Sequence, residues 1–91
     1  MKKRCVQLII MGRVQGVGYR FAAQQVAKQY QLQGWVKNQP NGDVEIIAEG
    51  EQQQIDQFTD WAKNGPKYAD VHRVAIKHLT ESGEFTQFNI R

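Results

Sequence analysis

Three glycines and two arginines share the run Gly12-Arg13-Val14-Gln15-Gly16-Val17-Gly18-Tyr19-Arg20. An apolar run, Cys5 to Met11, precedes it, and a helix-like run, Phe21 to Leu32, follows. A strand, a tight glycine loop and a helix N-terminus together can hold a phosphate. Backbone N–H groups of Gln15, Gly16, Val17, Gly18, Tyr19 and Arg20 can converge on one oxyanion, because glycines at 16 and 18 allow close approach and unusual dihedrals. The first N–H groups of the helix have no intrahelical acceptor and point the same way. Arg20 adds a planar fork that matches two phosphate oxygens. The same residues also suit a plain tight turn with Arg20 as a solvated first-turn side chain. A cation is poorly placed at that end of a helix, and a docked anion offsets this.

Asn38 is the second candidate, in Gly34-Trp35-Val36-Lys37-Asn38-Gln39. A carboxamide donates from one atom and accepts at another, so it can orient a water. Next to Asn41-Gly42, turn capping is the reading that composition alone favours. His72 and His78 fall six apart in a strand-like stretch, so they are expected to share a face as surface or edge residues. No metal-ligand spacing surrounds them, and no Ser-His-Asp or Cys-His arrangement appears. Gly16 and Gly18 are not followed by the third glycine of a dinucleotide-binding fingerprint, and no Gly-Lys-Ser/Thr of a Walker loop is present.

These residues must be carried by regular elements. Strand one is expected over about 5–13. Helix one is expected over about 21–32, with Ala22, Ala23, Val26, Ala27 and Tyr30 as its apolar stripe. Strands over about 34–39 and 43–49 flank Pro40-Asn41-Gly42 and form a hairpin. Helix two, about 51–63, packs Ile55, Phe58 and Ala62, and Asn64-Gly65-Pro66 ends it. Strand four, about 71–79, puts Val74 and Ile76 on one face and Val71 and Ala75 on the other. Ser82-Gly83 turns into a last strand over about 84–90. Trp35, Trp61, Phe58, Phe85 and Phe88 are expected in the core. The order β-α-β-β-α-β predicts an α/β (α+β) sandwich: a mainly antiparallel four- or five-stranded sheet with both helices on one face. Residues 1–91 read as one domain, and Pro66 to Asp70 is the only linker.

Composition narrows the partners. The formal charge of +3 is mild and makes no basic stripe, so no nucleic acid is expected. No run approaches the ~20 apolar residues of a membrane span. Cys5 is alone, so it has no disulfide partner within the chain, and it reads as a small buried hydrophobe. A cytoplasmic monomer acting on a small anionic molecule is the expectation, without metal or cofactor.

The chain resembles the acylphosphatase family. The family's first signature, Gly-x-Val-Gln-Gly-Val-x-Phe/Tyr-Arg, is met from Gly12 to Arg20. Its second, Gly-Trp/Tyr-Val/Ala-Arg/Lys-Asn followed by Gly-x-Val-Glu, is met by Gly34 to Asn38 and Gly42 to Glu45. The likeness extends through Gly50, Gly65-Pro66, Ala69 and Val71 to Phe88 and Ile90. It departs at the end, where many members carry a further residue after the Ile-Arg pair. The resemblance implies a ferredoxin-like fold and metal-independent hydrolysis of acyl phosphates to a carboxylate and inorganic phosphate. It implies that Gln15 to Arg20 hold the phosphoryl group, that Arg20 is the essential arginine and that Asn38 orients the attacking water. A non-catalytic phosphate-binding or regulatory module of the same fold is the alternative.

Overall fold

Val6, Leu8 and Ile10 alternate with Cys5, Gln7 and Ile9, and this two-residue period makes a strand with two unlike faces. In the computed structural model, which describes residues 2–91, that strand is β1, Lys3–Arg13. It is followed by α1 (Tyr19–Gln29), β2 (Gln33–Asn38), β3 (Val44–Glu51), α2 (Gln52–Ala62), β4 (Asp70–Leu79) and β5 (Phe88–Ile90). The strands form one sheet in the order β4-β1-β3-β2-β5. Every pairing is antiparallel except β2 with β5. Each helical crossover therefore skips one strand, β1 to β2 over β3 and β3 to β4 over β1, which is the split βαβ arrangement of the ferredoxin-like fold.

Both helices cover the face that carries Val6, Leu8, Ile10, Val36, Ile46 and Ala48. Ala23 and Ala27 of α1 meet this face, as do Ile55, Phe58 and Ala62 of α2. Each helix has only eleven residues. Isolated helices below ~12–15 residues are marginal in water, so packing on the sheet is what holds them. The two helices are also tied directly. The buried Tyr19 hydroxyl donates to the Ala62 carbonyl at 2.8 Å. That carbonyl belongs to the last turn of α2, where no intrahelical donor remains. The Tyr19 ring lies 5.5 Å from that of Trp61.

Several expectations are corrected. Helix one begins at Tyr19 and ends at Gln29, earlier than 21–32 at both ends. Gln31 takes φ 61, and the N–H groups of Gln31 and Leu32 donate to Lys28 and Ala27 carbonyls. This closes the helix in a Schellman turn without the glycine that usually marks one. In β4, Gly12 pairs with Val71 but Met11 with Arg73, so His72 is the extra residue of a bulge. The bulge resets the alternation. Val71 then packs on the core together with Val74 rather than opposite it, and the shared face for His72 and His78 loses its basis.

The last strand is residues 88–90 rather than 84–90. The segment before it joins opposite edges of the sheet, a span of four strand spacings or roughly 19 Å. It is thus a second linker, anchored on the open face, where the buried Glu49 carboxylate accepts from Ser82 N–H and Gly83 N–H at 3.3 and 2.8 Å. Phe58 and Phe88 are core as expected, and Trp61 packs beside them. Trp35 and Phe85 are only half-buried and belong to no core cluster. Trp35 alternates with the core residue Val36, so it lies on the open face.

Two outcomes follow from these contacts. Tyr19→Phe leaves a buried carbonyl without its donor and lowers unfolding free energy by about 1–3 kcal/mol, read from urea titration. Cys5, paired beside Glu49, is buried, and burial first, then the Glu49 carboxylate, push its thiol up to about 11 from 9.0. The unfolded chain gives up that proton more readily, so stability from this group is full below about pH 9 and is lost as pH rises toward about 11. Cys5→Ser removes that component: between these pH values the wild type should lose stability more steeply than the variant.

Candidate functional site

The loop from Val14 to Gly18 is pinned at both ends. Val14 and Tyr19 are each 1% exposed, so both side chains belong to the core. Between them Gly16 and Gly18 hold φ 74 and 80, a left-handed region that side-chain-bearing residues rarely adopt. No atom lies within 4 Å of where a Cβ would stand at either glycine, so backbone conformation rather than crowding selects glycine there. Val17 packs against the core. The Gln15 side chain braces the loop, its Nε2 donating to the Gln39 and Asp43 carbonyls at 2.7 and 2.8 Å. The side chains of Gln15, Val17 and Tyr19 are thus committed elsewhere, and what these residues can offer an anion is their backbone.

Gly18 is the N-cap of α1, and no side chain caps it. The first helical bond runs from Ala22 N–H to the Gly18 carbonyl at 3.0 Å, so the N–H groups of 19–21 precede the ladder. No acidic residue occupies the first turn. Arg20 therefore adds its charge to the positive end of the helix with no carboxylate beside it in that turn. Its Nη1 donates to the Arg91 carbonyl at 3.3 Å, at the surface. The Arg91 N–H in turn donates to Val36 at 2.8 Å and continues the β2–β5 pairing.

A cavity of about 190 Å³ opens beside this helix end. Gly16, Gly18, Tyr19 and Arg20 form one side, and Asn38 lines it from the end of β2. Among the described residues, the Asn38 Oδ1 is the buried side-chain polar atom without a hydrogen-bond partner. An acceptor removed from water and left unpaired is costly unless something in the cavity supplies a hydrogen. The adjacent turn does not use it. Gln39 N–H donates to the Asp43 carbonyl at 2.8 Å, and Asp43 N–H donates to the Asn41 Oδ1 at 3.0 Å. Turn capping, the reading composition favoured for Asn38, falls instead to Asn41.

Val14, Phe21 and Ile90 complete the cavity wall. Sequence reasoning missed all three as site residues. Phe21 lies off the helix stripe, and Ile90 joins the site only through the parallel β2–β5 pairing, which no local pattern announces. Cys5, His72 and His78 are not among the lining residues. His72 pairs with Asp70 at 3.1 Å at the surface. Trp35 carries Lys37 and Arg91 cations at 5.3 and 4.8 Å from its ring, on the far side of the sheet from the helices. Among the described residues, no group of three or more His, Cys, Asp or Glu is placed to hold a metal ion, and no helix is long and apolar enough to cross a membrane.

Comparison with known proteins agrees with this geometry. The acylphosphatase family model matches residues 6–90. An acylphosphatase from Acaryochloris marina is 44% identical over 86 residues, 94% of this chain and 91% of that protein. The crystal structure of acylphosphatase from Bacillus subtilis superposes with a TM-score of 0.93 at 35% identity, covering 97% of this chain and 98% of that one. Full-length HypF, solved in a phosphate- and nucleotide-bound form, contains a similar unit: TM-score 0.85 at 28% identity, covering 99% of this chain but 12% of that one. With the match running almost from end to end and through both the loop and the Asn38 strand, this chain belongs to the acylphosphatase family.

Proposed function

We propose that this chain is a monomeric, cytoplasmic, single-domain enzyme that hydrolyses acyl phosphates, with Arg20 and the 15–20 backbone holding the phosphoryl group and Asn38 orienting the water. The observation that carries the assignment of roles is the pairing across one cavity of a cationic, uncapped helix end with an unpartnered buried carboxamide oxygen.

In this reading the phosphoryl oxygens take N–H groups of residues 15–20 and the Arg20 fork, which leaves its contact with the Arg91 carbonyl. Asn38 Oδ1 accepts one hydrogen of a water and aims its oxygen at phosphorus, opposite the carboxylate leaving group. The phosphorus–oxygen bond to the acyl group breaks as the water's oxygen bonds. The acyl group departs as a carboxylate, which needs no added proton because it is a weak base. The water's proton passes to a phosphoryl oxygen, giving dihydrogen phosphate. Asn38 is no base, so its contribution is orientation, while Arg20 and the amides supply fixed electrostatic stabilisation.

Purified protein incubated with benzoyl phosphate, with and without EDTA, tests the activity. EDTA-insensitive loss of substrate with release of phosphate is expected. Phosphate binding without turnover would leave only the non-catalytic module. Arg20→Ala is expected to lose both phosphate affinity and turnover, and Arg20→Lys to remain poor because a point charge does not reproduce the two-oxygen fork. Wild-type efficiency in folded Arg20→Ala would remove that residue from the mechanism. Asn38→Ala should lower kcat by about 10²-fold with little change in phosphate affinity, because positioning rather than charge is lost. Its folding stability should not fall, since Oδ1 bonds nothing in the protein and its removal relieves an unpaired buried acceptor. Near-normal kcat in folded Asn38→Ala would sink the water-positioning role.

A further inference from the structure

Among the described residues, four large apolar side chains are strongly exposed: Phe21 at 64%, Tyr68 at 73%, Ile76 at 43% and Ile90 at 39%. A single such residue needs no explanation. Two of these four, however, line the same cavity as Arg20 and Asn38. Phe21 lies on the first turn of α1, two residues before the buried Ala23 and so on the opposite side of the helix. The fold gains little from its ring there, and helix propensity favours alanine. Ile90 comes from β5, paired with Val36 on the strand that carries Asn38. Two unconnected elements thus bring apolar groups to the mouth of one polar cavity.

We propose that Phe21 and Ile90 seat the acyl group of the substrate, so that aromatic or bulky aliphatic acyl phosphates are preferred over acetyl phosphate. This rests on the reading above, in which the phosphoryl end lies against Arg20. An acyl phosphate joins its carbonyl carbon to phosphorus through one oxygen, so its substituent must emerge beside the phosphate grip. Phe21, next to Arg20 in the chain, borders that exit, with Ile90 lining the same cavity. A methyl group is too small to cover the Phe21 ring, whereas a phenyl or branched chain removes apolar surface of both partners from water.

The ratio of kcat/KM for benzoyl phosphate to that for acetyl phosphate tests the seat, because differences in leaving-group chemistry cancel when variant and wild type are compared. The ratio is expected to fall about five- to tenfold in Phe21→Ser and to fall in Ile90→Ser, with Phe21→Leu retaining most of it. The inhibition constant of inorganic phosphate, which has no acyl group, should stay within about twofold in all three. A benzoyl-to-acetyl ratio unchanged in both serine variants overturns the seat and leaves the hydrolase reading intact. Sedimentation showing a wild-type dimer that Phe21→Ser dissolves also overturns it, assigning the ring to a second copy of this chain. Turnover of neither substrate by wild type removes the hydrolase reading and the seat with it.

Discussion

The chain has to leave a core strand at Arg13 and enter a core helix at Tyr19 within five residues. Everything at the site depends on meeting that constraint. Val14 and Tyr19 hold the two ends in the core, and the Tyr19 hydroxyl locks the entering helix to the last turn of α2. Gly16 and Gly18 absorb the reversal in left-handed backbone. Gln15 then straps the loop to both sides of the β2–β3 turn, at Gln39 and Asp43, in the hairpin that carries Asn38. The Gly16–Gly18 loop and the asparagine strand are therefore one mechanical unit, although 17 residues of helix, turn and strand separate Arg20 from Asn38 in sequence.

Much of the fold was legible because burial on one face enforces periodicity. The even-numbered residues of β1 and the hairpin around Asn41-Gly42 follow directly from it. Legibility failed where an element ends or changes period for a non-local reason. Nothing in Gln31 announces a left-handed residue, and α1 stops because Leu32 is better used in the core than as another helical turn. The bulge at His72 is set by the partner strand at Met11 and Gly12. Residues 84–87 have strand-like composition, yet they belong to a connection that must cross between the edges of the sheet and meets β2 at its end, where the Gln87 carbonyl accepts from Gly34 N–H at 2.9 Å.

At the site, the loop was legible because glycine at two non-adjacent positions before a helix has few structural alternatives. Asn38 was not legible from residue type, since asparagine near a turn normally caps it. What distinguishes it is negative: the turn is closed by Gln39, Asn41 and Asp43, and the Asn38 oxygen is left over. Phe21 and Ile90 were invisible for the opposite reason. They are apolar residues judged against a core, and the sequence does not say that one points away from its helix stripe and the other arrives by a parallel pairing across the sheet.

The division of labour between backbone and side chains has a consequence for how the site tolerates change. At Gln15, Val17 and Tyr19 the side chains serve the loop's anchoring, so substitution there acts first on loop geometry. Arg20 and Asn38 are different: each lines the cavity without serving as an anchor of the loop. Arg20 adds charge where the helix end is already positive, an arrangement worth roughly 0.3–1 kcal/mol against the empty protein. Asn38 adds a desolvated acceptor with no partner, unfavourable by about 1–3 kcal/mol. In the proposed mechanism both terms reverse, as an anion and a water fill the cavity. The folded chain thus holds, before any ligand arrives, two local strains that the proposed substrate relieves at the same moment, and this is a stronger argument for a shared site than the presence of either residue alone.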